Sequence, residues 1–251
     1  MMKKIQCGLL GEKLGHSRSP EIHAKLGDYE YCLYEKEPDE IERFIRDGTW
    51  RGMNVTIPYK KKVIPYLDQL SPSAERIGSV NTIVRRADGT LFGENTDVYG
   101  FEALVEFSGF EMRENKTLIL GSGGASASVE EALRRSGAEP VVISRTGENN
   151  YNNLEKHSDA VFLVNATPVG MYPNTEETPL DLRKVPGCIG VLDLIYNPLE
   201  TRLMMQAKAL GIPAYNGLYM LVAQAWKAAE LFLNQRIPVS RIEEIYRGLQ
   251  K

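Results

Sequence analysis

The stretch GMNVTIPYK at positions 52–60 ends an extended, β-branched segment on a lysine. Asn54 and Thr56 precede Lys60, so an amide, a hydroxyl and an ammonium follow one another where a strand is predicted to end. In open α/β sheets, ligands gather at the carboxyl ends of strands. Lys60 is therefore a candidate for chemistry on a bound ligand. A solvated lysine beside two further lysines explains the same residue, and the spacing alone leaves both interpretations open.

A second candidate site is a glycine-rich loop. An apolar strand predicted over 117–120 runs into Gly121 and Gly123, a helical pattern follows, and a second apolar strand is predicted over 140–144. Strand, glycine turn, helix and strand form the context of a dinucleotide-binding fingerprint. The first glycine permits the tight turn, and the second lets backbone N–H groups and the helix N-terminus approach a pyrophosphate. Ser126 replaces the third glycine, and an ordinary tight turn is the alternative.

The second strand of this unit ends on Ser144, Arg145 and Thr146. NAD-binding folds usually place an acidic residue there to hold the ribose 2′-hydroxyl, and such an acid repels a 2′-phosphate. An arginine attracts that phosphate and can stack on adenine. The segment therefore favours NADP over NAD, although a solvated loop arginine is the alternative.

The elements that must position these residues alternate between strand-like runs and helical patterns, which predicts an α/β fold with parallel sheets built from βαβ units. Further strands are predicted at 5–11, 29–35, 53–58, 159–170, 188–198 and 212–217. Helices are predicted over 38–48, 59–70, 71–78, 98–110, 200–211, 217–235 and 238–251. Another helix is predicted to begin at Ser19 as its cap, with Pro20 in the first turn. A hairpin turning at Asp88-Gly89 closes a first α/β unit near residue 97.

Composition narrows the class of protein. A chain of 251 residues is expected to form two domains. The formal net charge of −3 and the scattered basic residues argue against a nucleic-acid partner. The sequence contains no apolar run that predicts a signal peptide or a membrane span, so we expect a cytoplasmic protein. Cys7, Cys32 and Cys188 are widely spaced, which indicates neither a disulfide framework nor a metal site.

Nine short motifs occur in order along nearly the whole chain, and through them the sequence resembles the shikimate dehydrogenases. The motifs are GHSRSP, NVTIPYK, VNT, GENTD, GSGGAS, SRT, NATPVGM, DLIYNPLETRL and LYMLVAQA. Nine partial matches in order are far more specific than any one of them. The resemblance implies the reversible NADP-dependent reduction of 3-dehydroshikimate to shikimate, the step before shikimate phosphorylation in aromatic amino-acid biosynthesis.

The resemblance also implies two domains with a cleft between them. Residues 1–98, completed by 218–251, would form an α/β substrate domain that binds shikimate. Residues 99–217 would form a Rossmann-type, doubly wound parallel-sheet domain that binds NADP. The sequence leaves the oligomeric state open between monomer and homodimer.

The same resemblance assigns Lys60 and Asp97 as the catalytic pair. Hydride delivered to a ketone carbon leaves charge developing on its oxygen, so a proton donor must stand within hydrogen-bond reach. Lys60 can be that donor, and Asp97 would position its ammonium; taken alone, Asp97 is an ordinary turn aspartate. The implied substrate-binding residues are Ser17, Ser19, Thr56, Lys60, Asn81, Asp97, Tyr196 and Gln224.

The family motifs also imply a set of cofactor-binding residues. These are Gly121, Ser122, Gly123, Gly124, Ala125, Ser144, Arg145, Thr146, Asn165, Ala166, Thr167, Gly217 and Met220. A merely interfacial Gln224, a core-packing Tyr196 and a purely structural turn at Asn165 are the alternatives to their implied roles.

The chain departs from the family pattern after Arg145. Only the 19 residues 146–164 separate Arg145 from Asn165, which predicts a trimmed far edge of the sheet. The second basic residue that commonly follows shortly after the arginine is absent, since Gly147, Glu148 and Asn149 stand there, and Glu148 could weaken a 2′-phosphate contact, so NAD use stays open. A quinate or dual-specificity dehydrogenase is the alternative within the enzyme class. A non-catalytic ligand sensor, which would be expected to lack Lys60 or Asp97, is the alternative outside it.

Overall fold

The computed structural model describes residues 4–15 and 17–250. Backbone contacts divide the chain into two compact units, Met1–Gly100 with Val222–Lys251, and Phe101–Leu221. We refer to them as the first and the second unit. In the described part of the chain, no helix combines the length and the apolar character that a membrane span requires.

Strands and helices alternate along most of the chain. In chain order they are β1 (Gln6–Gly11), α1 (Ser19–His23), β2 (Glu30–Glu35), α2 (Ile41–Asp47), β3 (Gly52–Val55), β4 (Gln69–Leu70), α3 (Pro72–Ile77), β5 (Thr82–Arg85), β6 (Leu91–Glu94), α4 (Thr96–Ser108), β7 (Lys116–Leu120), α5 (Gly124–Ser136), β8 (Glu139–Ile143), β9 (Phe162–Asn165), β10 (Gly190–Asp193), α6 (Arg202–Ala209), β11 (Ala214–Asn216), α7 (Leu218–Leu233) and α8 (Ser240–Leu249). The predicted α/β class is confirmed.

The first unit contains a six-stranded sheet in the order β2-β1-β3-β5-β6-β4. The predicted hairpin is confirmed, because β5 and β6 pair antiparallel across the turn that contains Gly89. The pairs β1–β2, β1–β3 and β4–β6 are parallel as predicted, and because β5 also runs antiparallel to β3, the sheet as a whole is mixed. One core of this unit includes Leu10, Ile45 and Met53, all fully buried.

The second unit contains a five-stranded, all-parallel sheet in the order β11-β10-β9-β7-β8. Numbered within the unit, this is the doubly wound order 2-1-3-4-5, with β7 as its first strand. The connection from β8 to β9 contains only an isolated bridge at Ser144 and the 3-10 helix Leu154–His157. The predicted trimming of the sheet is therefore confirmed, and β8 forms its edge.

Two local predictions are wrong. Instead of a helix over 59–70, the structure has turns, the 3-10 helix Ile64–Tyr66 and β4. Pro65 lacks the N–H group that an α-helix through this segment would need. Ser19 does not cap α1, because the N-cap is Arg18 and Ser19 lies inside the helix.

Candidate active site

The ammonium of Lys60 and the carboxylate of Asp97 form an ion pair in the first unit. Lys60 Nζ lies 2.6 Å from Asp97 Oδ2, and the two side chains are 20% and 12% exposed. Each group is thus mostly withdrawn from solvent but still accessible to a small ligand. At this short distance the carboxylate fixes the direction in which the ammonium presents its remaining protons.

Backbone pairing brings these two residues together across 37 positions of sequence. Lys60 lies in the turn that follows β3, and its carbonyl oxygen accepts a hydrogen bond from Val80 N at 2.8 Å. The β5–β6 hairpin then returns the chain to Thr96, where α4 begins. Asp97 therefore occupies the first turn of α4, where the helix dipole favours a negative charge.

Asn81 fixes the orientation of Asp97. Its Nδ2 donates to Asp97 Oδ1 at 2.8 Å, and its Oδ1 accepts from the backbone N–H of Thr96 at 2.7 Å. Asn81 is 3% exposed, so these bonds replace water that the amide would otherwise bind. The structure thus brings three of the residues predicted from the sequence into one hydrogen-bonded group, namely Lys60, Asn81 and Asp97.

The group continues through residues that the sequence analysis did not assign to the site. Thr82 Oγ1 donates to Asn81 Oδ1 at 3.1 Å and accepts from Asn54 Nδ2 at 3.1 Å. Asn54 Oδ1 in turn accepts from the hydroxyl of Tyr31 at 2.8 Å. Asn54 and Thr82 are present in two of the motifs quoted above, but Tyr31 lies in β2, outside all of them.

The remaining predicted substrate residues occupy separate positions. Ser17 Oγ accepts from the backbone N–H of Ser19 at 3.2 Å, so the two serines adjoin at the start of α1. Thr56 is half-buried directly after β3. Gln224 is half-buried in the part of α7 that belongs to the first unit, whereas Tyr196 lies in the loop after β10 in the second unit. The predicted substrate residues are therefore divided between the two units.

The glycine loop of the second unit has the backbone that its sequence requires. Gly121 has a φ of +101°, and a Cβ there would lie 2.9 Å from Thr167 Cγ2. Gly123 is the N-cap of the 13-residue helix α5 and has no side-chain cap, and a Cβ there would meet open space. Its neighbours Ser122, Gly124 and Ala125 are at least partly exposed. Free backbone N–H groups at an accessible helix N-terminus fit the pyrophosphate of a dinucleotide.

The segment that follows β8 forms a loop held by asparagines. Ser144 N donates to Asn149 O at 3.2 Å, and Asn153 Nδ2 donates to Glu148 O at 2.7 Å. Arg145 and Thr146 are exposed on this loop. Arg145 is thus accessible to a phosphate, and Glu148 is exposed three residues further along.

A buried carboxylate, Asp193, supports the turn that lies beside the glycine loop. Asp193 is fully buried at the end of β10; its Oδ1 accepts from Asn165 Nδ2 at 3.0 Å and its Oδ2 from Thr201 Oγ1 at 2.7 Å. Asn165 Oδ1 then accepts from Thr167 Oγ1 at 2.7 Å, which fixes the turn through Ala166 beside Gly121. Burial raises the pKa of Asp193 to about 6. The sequence analysis missed this residue, although an acid that ends the apolar run CIGVLD was a signal for it.

The last predicted cofactor residues lie where β11 meets α7. A Cβ on Gly217 would approach Leu194 O to 2.0 Å, so only glycine fits between the two backbone segments. Asn216, which precedes it, accepts from Leu218 N at 3.0 Å and so caps the helix. Met220 is buried in the first turn of α7.

Comparison with known proteins relates this chain to the shikimate dehydrogenases. Residues 9–83 match the family model described as the shikimate dehydrogenase substrate binding domain. A protein named shikimate dehydrogenase (NADP(+)) from Clostridium perfringens strain SM101 is 39% identical, over 97% of this chain and 97% of that protein.

Solved structures similar to this chain include shikimate dehydrogenases. A chorismate mutase/shikimate 5-dehydrogenase fusion protein from Clostridium acetobutylicum is 34% identical with a TM-score of 0.93, over 99% of this chain and 98% of that one. Shikimate 5-dehydrogenase from Thermus thermophilus, in complex with NADP(H) and shikimate, is 35% identical with a TM-score of 0.84, over 97% and 99%. The extent of these similarities, together with the ordered motifs, shows that this chain belongs to the shikimate dehydrogenase family.

Proposed function

We propose that this protein catalyses the reversible, NADP-dependent reduction of 3-dehydroshikimate to shikimate. The observation that carries the proposal is the 2.6 Å ion pair between Lys60 and Asp97. An ammonium held by a carboxylate in a mostly buried position is the arrangement that protonation of a developing alkoxide requires. Relatives that carry this activity in their names cover 97% of the chain.

When bound, NADPH supplies the hydride that adds to the ketone carbon. Lys60 Nζ donates a proton to the oxygen of that carbon, and its positive charge stabilises the negative charge that develops there. Asp97 keeps the ammonium in place, while Asn81 keeps the second oxygen of Asp97 engaged. In the reverse direction, Lys60 accepts the proton of the shikimate hydroxyl.

We assign substrate binding to the first unit and cofactor binding to the second. Serine hydroxyls at positions 17 and 19 offer donors for the carboxylate of the substrate, and Thr56 and Gln224 offer polar groups for its hydroxyls. The free N–H groups at the start of α5 suit the pyrophosphate of NADP. Arg145 suits the 2′-phosphate because its guanidinium is exposed and always charged. The cytoplasmic location and the choice between monomer and homodimer remain predictions.

A steady-state assay that combines two substrates with two cofactors tests this function. Purified protein is given shikimate or quinate with NADP⁺ or NAD⁺, and reduced cofactor is followed by its absorbance. We expect the highest kcat/KM for shikimate with NADP⁺. A higher kcat/KM for quinate would instead identify a quinate dehydrogenase, and no turnover in any combination would leave only a binding role for the site.

A further inference from the structure

The carboxylate of Glu35 lies at the carboxyl edge of the sheet in the first unit and takes no part in the proposed mechanism. Glu35 is the last residue of β2 and is paired in register with Gly11, the last residue of β1. The backbone is anchored there, because Lys36 N donates to Gly11 O at 3.1 Å and Lys36 O accepts from the hydroxyl of the buried Tyr59. Glu35 thus extends from a fixed backbone toward the loop that follows β1.

That carboxylate accepts a hydrogen bond from the loop. Leu14 N donates to Glu35 Oε1 at 2.6 Å, across 21 positions of sequence. A bond from an N–H group to a charged oxygen is stronger than one between neutral groups. The side chain of Leu14 is buried, and a Cβ on Gly11 would lie 2.6 Å from Leu14 Cδ2 and 2.7 Å from Thr56 Cγ2. Leu14 therefore packs on the same glycine as Thr56, which is one of the proposed substrate residues.

Leu14 also connects Glu35 to the two serines of the proposed carboxylate site. Ser17 N donates to Leu14 O at 2.9 Å, which closes a turn between these residues. Ser17 Oγ accepts from Ser19 N at 3.2 Å, at the start of α1. Each step from Glu35 to Ser19 is thus a hydrogen bond, to which Leu14 contributes both its N–H and its carbonyl group. The placement of the Ser17 hydroxyl follows from where Glu35 holds Leu14.

We propose that Glu35 is a positioning residue that holds the turn from Leu14 to Ser17 in place for the carboxylate of the substrate. This inference rests on the proposed function, in which Ser17 and Ser19 bind that carboxylate. A loop that is already ordered in the free protein loses less conformational entropy when the ligand binds. Glu35 therefore affects how tightly the substrate binds, whereas other residues hold the catalytic ion pair.

The substitutions Glu35→Ala and Glu35→Gln test the proposal, since glutamine keeps an oxygen that can accept from Leu14 and alanine does not. We expect the KM for shikimate to rise about fivefold in Glu35→Ala, the effect of one lost hydrogen bond, and to stay within about twofold in Glu35→Gln. The kcat and the KM for NADP⁺ are expected to stay within about twofold in both variants. Glu37→Ala is the matched control, because Glu37 is an exposed acid two residues away that forms hydrogen bonds through its backbone.

The direction of the change separates positioning from charge. Removal of a negative charge near the site favours binding of an anionic substrate and so lowers its KM, whereas loss of positioning raises it. A KM for Glu35→Ala that falls, or that equals the KM of Glu37→Ala, overturns the proposal. A KM for Glu35→Gln as high as that for Glu35→Ala overturns it too, as does a loss confined to kcat.

A double-mutant cycle identifies the route of the effect. In a Ser17→Ala background, we expect Glu35→Ala to change the KM less than twofold, because the hydroxyl that Glu35 positions is already absent. A fivefold rise in that background as well overturns the proposal. Glu35 is exposed, so its variants are expected to fold, and thermal midpoints check this. A wild-type protein that does not oxidise shikimate contradicts the proposed function instead, which separates the two failures.

Discussion

In each unit a polar side-chain network surrounds a carboxylate, Asp97 in the first and Asp193 in the second, and the two carboxylates have opposite surroundings. In the first unit, Asp97 faces the ammonium of Lys60 at 2.6 Å, and both side chains retain some exposure. In the second unit, Asp193 is fully buried and accepts from Asn165, Thr201 and a backbone N–H group. Within residues 4–15 and 17–250, no cation forms an ion pair with it.

The difference indicates what each network can do. In an ion pair that is partly exposed to solvent, the ammonium can also contact a bound ligand, so the pair suits proton transfer. A sealed carboxylate that binds only neutral donors cannot reach a substrate, so its effect passes through the groups that it holds. For Asp193 these groups include Asn165 and, through it, the turn beside Gly121. The first network is therefore suited to chemistry and the second to maintaining the shape of the proposed cofactor site.

Removal of the cation tests this contrast most strongly. We expect Lys60→Ala to lower kcat about a thousandfold, since it deletes the proposed proton donor and leaves Asp97 without its cation partner. Binding of shikimate, measured by calorimetry, is expected to change far less. Lys61→Ala is the control, because Lys61 is the exposed neighbour in the same turn. A kcat for Lys60→Ala equal to that of the control would remove Lys60 from the mechanism.

The buried carboxylate predicts a pH dependence of stability. Because the folded protein raises the pKa of Asp193 from its ordinary 3.8 to about 6, the folded state binds the proton more tightly than the unfolded chain does. Its stabilising contribution is complete below pH 4 and is lost as the pH rises through about 6. At about 1.4 kcal/mol per pKa unit, the loss amounts to about 2 to 3 kcal/mol.

Asp193→Asn isolates this contribution, since an amide keeps the shape of the carboxyl group but does not titrate. Urea unfolding from pH 4 to pH 8 gives the free energy of unfolding of both proteins. We expect the wild type to lose about 2 to 3 kcal/mol relative to the variant over this range. Parallel pH profiles for the two proteins would show that Asp193 is not the buried, unpaired acid described above.

The sequence predicted the second unit better than the first. Strand β7, the glycine turn and α5 follow from local signals, because an apolar run, Gly121 and Gly137 mark their ends. The mixed sheet of the first unit depends on long-range pairing of β3 with β5, which no local pattern reveals. The turns after Thr56 resemble a helix in composition, and only Pro65 argues against one.

The candidate site also depends on long-range contacts that local sequence patterns do not reveal. Lys60 and Asp97 were paired through the family resemblance, since a contact across 37 positions leaves no periodic trace in the sequence. Tyr31 was missed because tyrosines such as Tyr31 and Tyr34 of β2 are equally typical of any half-buried strand. Asp193 was detectable in principle, because a charged residue that ends an apolar strand calls for an explanation.

The second unit also contains an exposed charge, the guanidinium of Arg145, which contrasts with its buried Asp193. We expect Arg145→Ala to raise the Kd for NADP⁺ about tenfold or more, because a charge-assisted bond to the 2′-phosphate is lost. The Kd for NAD⁺, which lacks that phosphate, is expected to stay within about twofold. Quenching of protein fluorescence by each cofactor measures both constants. Equal weakening of NADP⁺ and NAD⁺ would assign Arg145 to the adenine or to the loop fold instead.

The substitution Glu148→Gln has the smallest expected effect on the Kd for NADP⁺. It tests whether the side-chain charge on this loop, rather than the loop fold, affects cofactor binding. Its carbonyl oxygen, not its side chain, is the group that Asn153 holds, so Glu148→Gln keeps the loop intact. Removal of an exposed negative charge near a bound phosphate is worth less than about 1 kcal/mol, so we expect the Kd for NADP⁺ to fall about twofold. The gain in NADP⁺ affinity is expected to disappear at 1 M salt, where charges are screened within about 3 Å.

Glu155→Gln, which removes another exposed acid nearby, serves as the control. A gain that persists at high salt, or that NAD⁺ shares, would mean that the substitution acts on loop shape rather than on the 2′-phosphate.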